Sequence, residues 1–103
     1  MRYEIWQANP DTGGGRKIMF CRYELLKEFG LEPSKKFYNK VYEGECYPKD
    51  DNYDATLEGL YIKFQGVKPD GYTGHSLSIS DVVILGEKAY YVDDFGFKNI
   101  NFE

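Results

Sequence analysis

Histidine occurs once in these 103 residues, as His75, and cysteine only twice, as Cys21 and Cys46. A zinc site draws its three or four ligands largely from those two residue types, so the sequence is poor in what it would need. The cysteines form no CxxC pair, and a secreted disulfide scaffold of this size would hold more of them. Both are expected as reduced thiols in or near the core. No run approaches the roughly 18 apolar residues of a membrane span. The opening Met1-Arg2-Tyr3-Glu4-Ile5 lacks the apolar stretch of a secretory signal, so a cytoplasmic protein away from membranes is expected. Basic residues are also too few and too scattered for a phosphate-binding stripe. Thirteen Lys and Arg stand against seventeen Asp and Glu, a net charge of −4. Apart from Arg16-Lys17 and Lys35-Lys36 the bases are dispersed, so no direct nucleic-acid contact is expected. A mimic of DNA would need a dense acidic face, which thirteen interspersed bases dilute.

Aromatic residues are plentiful. Ten Tyr, seven Phe and one Trp make up 17 % of a chain that is 42 % apolar and 29 % charged. These proportions, with a mean hydropathy of −0.60, fit one globular domain over 1–103. A domain of this length buries about 65 % of its unfolded surface.

Arg2 to Gln7 alternates polar and apolar side chains and reads as a strand. Asn9-Pro10-Asp11 starts a turn, and Gly13-Gly14-Gly15 reads as a flexible continuation of it. A phosphate-binding loop would require Lys-Ser or Lys-Thr after the glycines, where this chain has Arg16-Lys17-Ile18. Ile18-Met19-Phe20 reads as a brief extended piece. Tyr23, Leu26 and Phe29 share a helical stripe over about 22–29, with Gly30 as its stop. Phe37 to Glu43 alternates as a strand.

The trio Asp50, Asp51 and Asp54 lacks the spacing of a calcium loop, so a solvated turn leading into a helix N-terminus is expected. In that second helix Leu57, Leu60, Tyr61 and Phe64 stand at i, i+3, i+4 and i+7, with Asp54 or Thr56 as cap and Gly66 as stop. Val82-Val83-Ile84-Leu85 carries apolar groups on both faces, as a strand covered on both sides does. Gly86-Glu87 joins it to Lys88–Val92 with the signature of a type II′ hairpin.

His75 sits in Gly74-His75-Ser76-Leu77-Ser78-Ile79-Ser80-Asp81, which invites a hydrolytic triad. Neighbours in an extended chain point in opposite directions, so these groups do not converge by spacing alone. The expected role of the segment is structural: its serines and Asp81 bond nearby main chain. Asp93-Asp94 reads as a turn for the same reason. No catalytic, cofactor or metal residues are assigned.

Several segments together resemble one family. They are Tyr3-Glu4-Ile5-Trp6-Gln7, Val41-Tyr42-Glu43-Gly44-Glu45, Leu57-Glu58-Gly59-Leu60-Tyr61 with Phe64, Gly74 through Val83, and Ala89-Tyr90-Tyr91-Val92-Asp93 with Phe95-Gly96-Phe97. In this order and spacing the chain is similar to the YodL-like domain from Tyr3 to Phe102. The resemblance implies a small bacterial protein or module, often encoded on conjugative or other mobile elements. That family has no established catalytic residues to carry over. The chain departs from the pattern at Gly13 to Arg16 and at Asp94.

The expected architecture is α+β: two helices on a mostly antiparallel sheet with the 81–85 and 88–92 hairpin at its centre. The expected function is a non-catalytic protein-binding module of a mobile element. The alternatives are an inhibitor of host defence, of anti-restriction or anti-CRISPR type, and, ranked last, a small enzyme. The partner surface is placed on Tyr91, Asp93, Phe95 and Phe97, with His75 and Ser76 as further candidates. Eighteen aromatics exceed the inward places of the assigned elements, and Tyr and Phe make rigid contact area. Partner identity and oligomeric state are left open.

Overall fold

A computed structural model of the chain describes residues 1–48 and 52–103, so Asp50 and Asp51 of the acidic trio lie outside the described residues. The elements run β1 (Arg2–Ala8), α1 (Gly13–Ile18), α2 (Tyr23–Glu28), a single 3₁₀ turn (Lys35–Phe37), β2 (Tyr38–Glu45), α3 (Tyr53–Lys63), β3 (Val82–Leu85), β4 (Lys88–Val92) and β5 (Phe97–Ile100). All strand pairs are antiparallel, in the order β2-β1-β3-β4-β5. The expected α+β class holds. The helices, however, cover both faces of the sheet.

That double cover explains the apolar run in the middle strand. Val83 and Leu85 pack with Tyr3, Ile5, Leu57, Leu60, Phe64 and Leu77 under α3. Val82 packs with Ile18, Leu26, Tyr38, Tyr91 and Phe102 under α1 and α2. Ile84, within the run read as covered on both sides, is only half-buried, and so is Tyr90 on the next strand. The tight hairpin forms as read: Leu85 pairs with Lys88, and Gly86 takes φ 60. That left-handed value admits glycine without strain.

The β1–β2 register slips between Ile5 and Trp6, a bulge that leaves Val41 unpaired with β1. The freed Val41 carbonyl accepts from Thr73 N at 3.1 Å and ties the 72–74 loop to this edge of the sheet.

Three local expectations need correction. First, the glycine run is a helix. Thr12 Oγ1 accepts from Gly15 N at 2.9 Å, and Ile18 anchors the turn in the core. A Cβ on Gly15 would collide with the Asn9 carbonyl, and one on Gly14 would stand 2.5 Å from the Phe37 ring. Helix α1 therefore sits closer to its neighbours than any side chain at those positions allows. Ile18 consequently ends a helix, and Phe20 takes a left-handed φ of 62 where an extended piece was expected. Second, β2 begins at Tyr38 rather than Phe37 and runs to Glu45. Third, α3 is capped by Asn52, whose side-chain oxygen accepts from Ala55 N at 3.2 Å, rather than by Asp54 or Thr56. Helix α2 ends as read. Gly30 at φ 69 lets Gly30 N reach Lys27 O and Leu31 N reach Leu26 O, the paired bonds of a Schellman motif. No helix among the described residues is long and apolar enough to cross a membrane.

Candidate functional site

The segment from Gly74 to Asp81 has no regular structure of its own and is held from inside by Gln7 on β1. Gln7 Oε1 accepts from His75 N at 3.1 Å. Its Nε2 donates to His75 O and to Asp81 Oδ2, both at 2.9 Å. The same Asp81 oxygen accepts from Ser78 N at 2.8 Å. Burial pushes the Asp81 carboxyl up to about 8, against the partial opposition of these two bonds. Tyr72 donates its hydroxyl to His75 O at 2.7 Å and is itself raised to about 12, mainly by burial. Asp81, Ser78 and Ser80 thus bond main chain, as expected for a structural segment, whereas Ser76 does not and Asp81 also bonds the Gln7 side chain.

The histidine environment is not that of a triad. His75 Nδ1 lies 2.7 Å from Ser76 O. A carbonyl only accepts, so Nδ1 carries the proton. Asp81, the carboxylate a triad would place on that nitrogen, is bonded instead to Gln7 and Ser78. Ser76 Oγ accepts from Lys68 Nζ at 2.7 Å. The His75 ring is exposed and lies 5.6 Å from that of Phe20, which is itself 59 % exposed.

Beneath this pair two non-glycine residues take left-handed backbone, Phe20 at φ 62 and Ser80 at φ 84. They are bonded to each other, Phe20 N to Ser80 Oγ at 2.8 Å. Two core tyrosines brace the joint: Tyr38 donates to Ser80 O at 2.7 Å and Tyr91 to Cys21 O at 2.5 Å. Burial raises both phenols well above their ordinary range, so they stay protonated as donors.

Tyr91 was expected on a contact surface, and the structure places it fully in the core. The layer of α1 and α2 covers its face of the sheet. Asp93 is likewise buried. Its Oδ1 accepts from Tyr23 N at 3.0 Å and from Asp94 N at 2.9 Å. It thereby caps α2, whose own preceding residue, Arg22, supplies no side-chain bond. Phe95 lies at the β4–β5 turn with 88 % of its surface exposed. Phe97 is half-buried at the start of β5.

Asp93 and Phe97 meet in a groove of about 300 Å³ between the second half of α3 and the β4–β5 turn. Tyr61, Ile62, Ile79 and Phe97 supply apolar wall, Glu58 and Asp94 supply exposed carboxylates, and Asp93 lines the groove while its carboxylate caps α2. Phe95 stands between two of the lining residues, Asp94 and Gly96. Sequence reasoning missed the α3 contribution. Ile62 is 73 % exposed and lies off the Leu57–Leu60–Phe64 stripe, and an isoleucine off the buried stripe is the signal that was there to be used. His75 and Ser76 belong to the separate Phe20 cluster and do not line this groove.

A second concavity, about 610 Å³, lies between α2 and the 3₁₀ turn. Its lysines rest over aromatic rings, Lys27 5.0 Å from the Tyr23 centroid and Lys36 5.0 Å from that of Phe37. Among the described residues, no three His, Cys, Asp or Glu side chains converge as metal ligands.

The family model of the YodL-like domain matches residues 2–102, and the chain belongs to that family. No curated protein and no solved structure matches it.

Proposed function

We propose that this member of the YodL-like family is a non-catalytic protein-binding module of bacterial mobile elements, acting in the cytoplasm and holding its partner at the groove between α3 and the β4–β5 turn. One observation carries the reading. A phenylalanine 88 % exposed stands in the turn that walls one side of a concave site, which combines aromatic and aliphatic side chains with the carboxylates of Glu58 and Asp94. Exposing the apolar side chains to water is unfavourable in the free protein and favourable to lose on binding. Rigid aromatic side chains around a pocket are the usual composition of a binding hot spot. The association with mobile elements follows the family resemblance.

Inhibition of a host-defence protein remains the alternative. It would use the same groove, and the carboxylates beside Phe97 favour it to the extent that the target surface is basic. The two readings differ in the identity of the partner.

Capture from a bacterial lysate followed by mass spectrometry tests the proposal. Phe95→Ser and Ile62→Ser change exposed side chains, so melting temperature should stay within about 2 °C of the parent, since exposed substitutions usually cost under about 0.5 kcal/mol. Proteins retained by the parent and lost by both variants support the groove. An identical set of retained proteins with all three overturns it.

A further inference from the structure

The two edges of the sheet are unlike. At the β2 edge, Lys40, Glu43 and Glu45 are exposed, Arg2 pairs with Glu43, and Thr73 donates twice to the Val41 carbonyl. Exposed charges and a covering loop of this kind discourage another strand from adding. The β5 edge carries one charged side chain, Lys98, and among the described residues pairs only with β4.

The direction of the β5 main chain follows from the ladder. Asp93 N donates to Gly96 O at 3.0 Å, which makes 93/96 a bonded pair. Bonded and non-bonded pairs alternate along an antiparallel ladder, so the next bonded pairs are 91/98 and 89/100. The main-chain groups of Phe97 and Asn99 therefore point away from β4, and the outer edge of β5 presents two donors and two acceptors. The Phe97 side chain packs on the α3 side of the sheet and lines the groove.

Resting on the groove reading above, we infer that the partner binds as an extended segment that adds to the outer edge of β5 as a sixth strand, with an aromatic or aliphatic side chain in the groove and a Lys or Arg two positions away. The spacing follows from strand geometry, because only alternate residues of the added strand face α3. The basic flank follows from charge, because the exposed carboxylates of Glu58 and Asp94 line the same groove. A second copy of this acidic chain fits poorly: β5 offers its partner only Lys98, and on the face opposite Phe97. Main-chain bonds at an open edge supply affinity without regard to sequence, and the groove supplies selection.

The probe is a capped peptide, Thr-Lys-Thr-Phe-Thr-Lys-Thr, which presents Phe and both Lys on one face when extended. Binding is followed by amide NMR on the full chain. At saturation the Phe97 and Asn99 amides should exchange with solvent at least tenfold more slowly, as they pass from unpaired to paired. A peptide N-methylated at the positions that face β5 should bind at least tenfold more weakly, and so should one with Glu in place of both Lys. Asn99→Pro removes a main-chain donor that β4 does not use, together with the side-chain bond from Asn99 Nδ2 to Ala89 O. It should weaken binding equally while the chain still folds, and Asn99→Ala, which loses the side-chain bond alone, should bind as the parent does. Should Asn99→Pro fail to fold, the exchange rates and the N-methylated peptide decide the matter on the unaltered protein. Groove resonances that shift while Phe97 and Asn99 exchange stays unchanged would overturn strand addition and leave the groove reading intact. Equal binding by the Glu peptide would overturn the basic flank. No shift at Tyr61, Ile62 or Phe97 with the Lys peptide would overturn the inference as stated, and the lysate capture would decide the groove reading separately.

Discussion

Asp81 is the residue at which chemistry and fold are most tightly joined. It is 1 % exposed, and both of its described bonds fall on one oxygen, Oδ2. Its folded carboxyl titrates at about 8, well above the 3.8 of an unperturbed Asp. Between those values the folded chain keeps a proton that the unfolded chain has lost. Stability contributed by this group is therefore full at low pH, declines as pH rises from about 4 toward 8, and levels off above that. Asp81→Asn can place its carbonyl oxygen where Oδ2 stands, keeping both bonds without the charge. Thermal unfolding across pH 4 to 9 should show a melting temperature that falls in the parent and falls less in the variant. Parallel profiles for the two proteins would refute the assignment. Asp81→Ala removes the side-chain acceptor of Ser78 N and one acceptor of Gln7 Nε2, which keeps its bond to His75 O, at a cost of about 1 kcal/mol, or roughly 5 °C in a domain this size. The importance of Asp81 was legible in the sequence as a residue bonding its own segment. Its bond to Gln7, 74 positions away, was not.

At the scale of elements, α1 separates propensity from packing. Three glycines in six residues are poor helix formers, each less favourable than alanine by about 1 kcal/mol. Propensity alone gives the loop that local reading expected. The helix persists because Thr12 caps it, Ile18 anchors it, and two of the glycines admit neighbours at contact. Opposite outcomes follow for the same substitution. Gly13→Ala, with nothing within 4 Å of the new methyl, should raise stability by about 0.5–1 kcal/mol. Gly15→Ala should lower it by more than that, because its methyl meets the Asn9 carbonyl. Chemical denaturation of the two variants checks this, and a stabilised Gly15→Ala would show that α1 can shift to relieve the contact. By contrast α2 with its stop at Gly30, the Leu57–Leu60–Phe64 stripe of α3 and the β3–β4 hairpin were legible, because each is a local signal. Helix α3 ends at Lys63, before the Gly66 expected to stop it, which does not take a left-handed φ.

For the whole molecule, the sheet joins two cores that have no common residue. Leu57 lies in the one under α3, and Trp6 packs against the other with its ring 5.4 Å from Phe102. Both cores share the strands β1, β3 and β4, so they should be lost together. Leu57→Ala should cost about 2–5 kcal/mol and lower the Trp6 fluorescence midpoint by as much as the far-ultraviolet circular dichroism midpoint. A Trp6 midpoint left unmoved while the dichroism shifts would mean that the two layers unfold separately. The same double cover decides which aromatics are available to a partner. Tyr91 sits under α1 and α2 and is spent on the core and on Cys21, whereas Phe95 lies on a turn beyond the last covered residue of β4.

The strand segments, the tight hairpin and the apolar stripe of α3 were determined by the sequence, since each depends on residues within a few positions of one another. So was the candidacy of Phe95 and Phe97. The tertiary structure decided the rest: that helices cover both faces, that Tyr91 and Asp93 turn inward to hold a joint and cap a helix, and that Ile62 and Glu58 meet Phe97 across a groove. Those outcomes depend on which layer lies over each face of the sheet. Side-chain alternation along a strand separates the two faces, and it carries no information about what packs on either.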